Sequence, residues 1–131
     1  MANDIFDYFN QKAITLFQQT LESYGYIREE VEIKEINGAR WSTHLTFVNP
    51  AANLKIIIKQ EPCYTDYGFS FFIYKLGTNQ YNILYNVPHE RQDGEGNFLN
   101  TAYEDLFSTP ETLDLITGKL WKELKRIPFL K

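Results

Sequence analysis

His44 and His89 are the only histidines and Cys63 the only cysteine, so proton transfer, thiol chemistry or metal ligation must be assembled around these three residues. His44 falls at an even position of an alternating segment, across a hairpin from Glu30 or Glu32. Such a pair can hold a proton near neutral pH or ligate a metal. Its ordinary account is a solvated cross-strand contact, and we read it so. His89-Glu90 lacks the second histidine one helical turn on that a zinc-peptidase helix requires. Cys63, between Pro62 and Tyr64, has no neighbouring base and no partner for an intrachain disulfide. Gly-rich phosphate loops, Cys-x-x-Cys pairs and Gly-x-Ser-x-Gly elbows are absent from the sequence. The expectation is no catalytic set, no cofactor and no metal.

Asp93-x-Glu95-x-Asn97, followed by Thr101 and Glu104, resembles an EF-hand calcium loop over twelve residues. Phe98 stands where that loop turns on Gly, Asn100 where it is apolar, and Pro88 where a helix should enter. These departures set the calcium reading aside.

Two groups point to recognition instead. Tyr64, Tyr67, Phe72, Tyr74, Tyr81 and Tyr85 crowd two consecutive strand segments. Tyrosine serves core boundaries and protein interfaces alike. Glu29, Glu30, Glu32 and Glu35 crowd one strand. Such charge keeps an edge strand from aggregating or forms an acidic recognition surface. We take Phe72, Tyr74, Tyr64, Tyr67, Tyr81, Tyr85, Glu30 and Glu32 as the candidate binding residues.

The elements that must position them follow from periodicity. Phe6, Phe9, Ala13, Leu16, Phe17, Thr20, Leu21 and Tyr24 recur at helical spacing, with Asp4 as N-cap and Gly25 as terminator. Strands follow at Ile27–Ile33 and up to Asn49, joined at Asn37-Gly38. A three-residue loop with a bulge at Gly38 would set Ile33 with Trp41, Val31 with Thr43 and Ile27 with Phe47. A third strand is Leu54–Gln60, with Leu54, Ile56 and Ile58 on one side and Lys55, Ile57 and Lys59 on the other. The fourth, within Gly68–Leu76, has large apolar groups at odd (Phe69, Phe71, Ile73) and even (Phe72, Tyr74, Leu76) positions, so both faces want cover. The fifth, Tyr81–Val87, sets Tyr81, Ile83, Tyr85 and Val87 against Asn82, Leu84 and Asn86. Pro88–Asn100 reads as a long irregular segment and Thr101–Phe107 as a short helix. A last helix opens on a Ser108/Glu111 capping box and carries a stripe of Leu113, Ile116, Leu120, Leu124 and Ile127, with Gly118 inside it.

The 131 residues suit one domain, 1–131, of α+β class: an antiparallel meander of about five strands with the N- and C-terminal helices on one face. A net charge of -4 argues against nucleic acid, and Lys119, Lys122, Lys125 and Arg126 read as the basic end of a helix. No apolar run reaches membrane-spanning length, residues 1–24 are not built like a signal peptide, and a cytoplasmic protein is expected. Aromatics at 16% exceed what a small core easily holds. The sequence therefore favours a non-enzymatic, acidic interaction protein of inhibitor, immunity or adaptor type, binding a protein partner or itself through an aromatic sheet face. The alternative is a small-ligand domain or enzyme with an aromatic-lined pocket between sheet and helices.

Overall fold

The computed structural model describes residues 2–29, 31–36, 39–60, 69–78, 80–87 and 96–119, with side chains from residue 7 and excluding 34–41. The chain runs α1 (Ala2–Ser23), β1 (Ile27–Arg28), β2 (Glu32–Ile36), β3 (Ala39–Asn49), β4 (Leu54–Gln60), β5 (Phe69–Lys75), β6 (Tyr81–Val87), α2 (Asn97–Ser108) and α3 (Pro110–Thr117). The sheet is wholly antiparallel, in the order β1-β3-β4-β5-β6, with β2 also on β3. β1 and β2 are thus successive parts of one interrupted edge strand beside the long β3. The architecture is the expected α+β meander. No described helix is long and apolar enough to cross a membrane.

The helices cover one face. Phe9, Ala13, Phe17 and Leu21 of α1, Leu99 and Leu106 of α2 and Ile116 of α3 enclose Leu45, Phe47, Ile56, Ile58, Phe69, Phe71 and Ile73 of the sheet. Both helix ends that matter are cut by glycine. Gly25 (φ 103°) donates to Glu22 O while Tyr26 N–H reaches Leu21 O, and Gly118 (φ 87°) with Lys119 repeats the pattern on Leu115 and Asp114. These paired bonds satisfy orphan carbonyls and turn the chain away.

Four local expectations are corrected. Helix α1 begins at Ala2, so Asp4 lies inside it rather than capping it; nothing in Ala2-Asn3 opposes a further turn. Helix α2 starts at Asn97, not Thr101. Gly118 ends α3 instead of lying within it, and Leu120, Leu124 and Ile127 fall outside the described residues. Thr109, not Ser108, is the N-cap of α3, with no side-chain cap bond.

The first hairpin also takes another register. Ile36 pairs with Ala39 and Glu35 with Arg40; a shift between Lys34 and Glu35 then sets Lys34 with Ser42, Ile33 with Thr43 and Glu32 with His44. The extra residue is Trp41, rather than the glycine expected to carry the bulge. Ile27 pairs with Val48 and Arg28 with Phe47, so Ile27 points away from the helices and is 64% exposed. Arg28 takes the helix side, where its Nε donates to Gln18 Oε1 at 2.8 Å.

Candidate functional site

Alternation on β4 and β5 sorts the side chains by parity. Leu54, Ile56, Ile58, Phe69, Phe71 and Ile73 are buried beneath the helices, while Lys55, Ile57, Lys59, Phe72 and Tyr74 are half-buried on the opposite face. Register sets Ile57 beside Phe72, Lys55 beside Tyr74 and Lys59 beside Ser70. The doubly apolar strand thus gives one side to the core and one to the opposite, open face, on which no described helix lies. Phe72 and Tyr74 are half-buried there, and Ser42 and Ser70 are 0% and 2% exposed.

β6 departs from its expected alternation. A shift opposite Phe71/Phe72 pairs Phe71 with Tyr85 but Phe72 with Ile83 and Tyr74 with Tyr81, leaving Leu84 as the extra residue. A bulge flips every side chain beyond it to the other face. Tyr81 and Ile83 therefore join the open face, whereas Tyr85 and Val87 turn toward the helices, where both pack against the core.

Three rings make the centre of the open face. Phe72 and Tyr74 stack at 6.0 Å between centroids and 15°; Tyr81 lies 6.0 Å from Phe72 and 5.6 Å from Tyr74. Lys59 Nζ stands 4.3 Å from the Phe72 ring centroid and Lys55 Nζ 5.3 Å from that of Tyr74. An ammonium over a ring is held by the ring quadrupole, and both lysine stems lie along apolar surface. Burial, and then the charge Tyr81 would carry on ionising, raise the Tyr74 phenol above its ordinary value. Farther along the sheet, His44 Nδ1 lies 3.7 Å from Glu32 Oε1. This is the cross-strand pair that the alternation of β2 and β3 suggested.

Of the candidate residues, Phe72, Tyr74 and Tyr81 come together. Glu32 is separate from them, at the β2 edge. Tyr85 leaves the group, and its hydroxyl donates to Asp105 Oδ2 on α2 at 2.5 Å. Tyr64, Tyr67 and Glu30 lie outside the described residues. Lys55 and Lys59 belong to the cluster and were missed as site residues. Their signal was two lysines four apart on one parity of a strand facing Phe72 and Tyr74. The calcium-like segment is not a loop at its second half, because Asn97, Thr101 and Glu104 all lie on α2; His89, Asp93 and Glu95 fall outside the described residues. Among the described residues no group of three or more His, Cys, Asp or Glu could hold a metal.

The Tyr85–Asp105 bond has a measurable signature. Burial first, then the hydrogen bond and charge of Asp105, push the Tyr85 phenol from 10.0 up to about 12. The phenol is protonated in both folded and unfolded chains below pH 10. Between pH 10 and about 12 only the unfolded chain releases that proton, so this contribution to stability is lost as pH rises through the window. Ultraviolet titration should show one tyrosine ionising near the top of that range, missing in Tyr85→Phe. The variant should also lose less stability over the same interval, though the buried Tyr26 phenol, raised too, keeps some slope.

No protein-family model, curated protein or solved structure matches this chain.

Proposed function

We propose that this chain is a non-enzymatic, acidic interaction protein of the inhibitor, immunity or adaptor kind, whose open sheet face receives a protein partner or a second copy of itself. The observation that carries the reading is the stacked Phe72–Tyr74–Tyr81 cluster, framed by Ile57 and Ile83 on the side of the sheet away from the three described helices. Clustered rings with aliphatic neighbours are the composition of an interface centre, where aromatic anchors carry most of the binding energy. A contiguous apolar patch on one face of a domain favours association.

The ligand-pocket alternative has less support. The space between sheet and helices is filled by Phe9, Phe17, Phe47, Phe69 and Phe71, each no more than 1% exposed. A groove of about 740 Å³ does lie at one end of the sheet, between Tyr24-Gly25, Asn49–Ala52 and Thr117-Gly118. Its lining is mostly small and polar rather than aromatic. The Asn49 amide there is already engaged, donating to Tyr24 O at 3.0 Å and accepting from Ala52 N–H at 3.1 Å.

Phe72→Ala/Tyr74→Ala tests the docking face. One aromatic hot spot at an interface centre is worth about 2 kcal/mol or more and neighbouring ones are not additive, so the double variant should bind its partner at least about 30-fold more weakly. The assay is retention of a stoichiometric partner from native lysate, with sedimentation to detect self-association and circular dichroism to check the fold. A wild-type chain that sediments as a lone monomer and retains nothing, or retention unchanged in the variant, would refute the assignment.

A further inference from the structure

We infer that a buried water molecule is an integral part of this fold, bound by the Thr43 hydroxyl, the Gln60 amide oxygen and the Asn10 amide oxygen where α1 crosses β3 and β4. Thr43 and Gln60 face each other in register beneath the helices, and both are 0% exposed. Gln60 Nε2 donates to Phe9 O of α1 at 3.1 Å, which fixes the amide and leaves its Oε1 as the acceptor still to be met. That Oε1, Thr43 Oγ1 and Asn10 Oδ1 are all buried, and among the described residues none has a hydrogen-bond partner. Buried polar groups are nearly always hydrogen-bonded, so three orphans at one place call for a common partner.

Asn10 reaches this place by the geometry of α1. Asn10, Ile14 and Gln18 recur every four residues and share one flank of the helix. Gln18 Oε1 receives Arg28 Nε, and Arg28 pairs with Phe47 of β3. Helix and strand run the same way, since Phe9 O meets Gln60 opposite Thr43 and Tyr24 O meets Asn49. From Gln18 back to Asn10 is about 12 Å of helix, and from Phe47 back to Thr43 about 13 Å of strand, so Asn10 arrives beside Thr43.

The three groups suit water in number and polarity. Water donates one hydrogen to Gln60 Oε1 and the other to Asn10 Oδ1, and accepts the Thr43 hydroxyl proton. These are the three bonds a buried water typically makes. A cation suits the place less well. All three groups are neutral, and the surroundings are apolar: Phe69 pairs with Gln60, and its ring lies 5.9 Å from that of Phe98, itself 5.1 Å from that of Phe9. Neutral oxygens in such a setting do not offset the dehydration of an ion.

The test joins a high-resolution crystal structure of the full chain to the sign of one substitution. Density should show one ordered water within hydrogen-bond distance of Thr43 Oγ1, Gln60 Oε1 and Asn10 Oδ1. Thr43→Val keeps the side-chain shape and removes the hydroxyl. With water bound, the change breaks a made bond and should raise the unfolding equilibrium constant about threefold to tenfold in urea denaturation. Without water, it removes an unmet polar group, and the variant should be the more stable protein. A stabilised Thr43→Val chain, or density in which the Thr43 hydroxyl bonds Gln60 Oε1 directly, would therefore overturn the inference. A stability that depends on whether sodium, potassium or choline is the salt cation at equal ionic strength, with matching density at the three oxygens, would replace the water with a metal ion.

Discussion

Phe17→Ala should lower the unfolding free energy by about 3–5 kcal/mol, the cost of emptying a fully enclosed aromatic site. The ring is 0% exposed and lies where α1, α2 and the sheet meet. Its centroid lies 5.6 Å from Phe71 and 6.4 Å from Phe69 on the sheet, and 5.6 Å from Tyr103 and 6.1 Å from Phe107 on α2. Collapse around the cavity is restricted from both sides, because strand pairing holds β5 and the Thr20–Tyr103 hydroxyl contact at 2.7 Å holds α1 against α2. A domain of this size is stable by roughly 5–15 kcal/mol, so the variant should lose a large share of that. Urea denaturation followed by circular dichroism measures the change. A loss below about 1 kcal/mol would show that the junction of α1, α2 and the sheet does not depend on this ring.

The second expected effect has the opposite sign. Asn82 is 1% exposed on the helix side of β6, paired in register with Ile73, and neither its amide nitrogen nor its amide oxygen has a hydrogen-bond partner. An unsatisfied buried polar group costs about 1–3 kcal/mol, and an apolar group of similar shape removes that cost. Asn82→Leu should therefore stabilise the fold by about 1–3 kcal/mol in the same denaturation experiment. A destabilised variant would instead mean that the amide is satisfied by bound water in solution. Asn82 is buried because of the Leu84 bulge: with uninterrupted pairing, the residue beneath the helices at this end of β6 would have been Tyr81 or Ile83.

What was legible came from local periodicity. The β4 and β6 boundaries, the stripe of α1 and the two-faced character of β5 all follow from side chains alternating every two residues or returning every three to four. Gly25 was legible as a helix end because a left-handed residue after an apolar stripe has little other use. Gly118 was not, since Leu120, Leu124 and Ile127 continue the helical spacing beyond it and pattern alone carries no record of where the backbone turns. Lys55 and Lys59 were legible as one parity of a strand, but only register put aromatic rings beneath them.

The α+β class, the meander and the surplus of aromatic side chains were set by the residue pattern, because burial of apolar groups at regular intervals is a local property. Which aromatics meet was decided only by tertiary structure. One extra residue at Trp41 and another at Leu84 reset pairing parity, sending Tyr81 to the open face and Tyr85 to Asp105. A bulge depends on how neighbouring strands twist and pack against the helices, a balance between distant segments that no window of sequence contains.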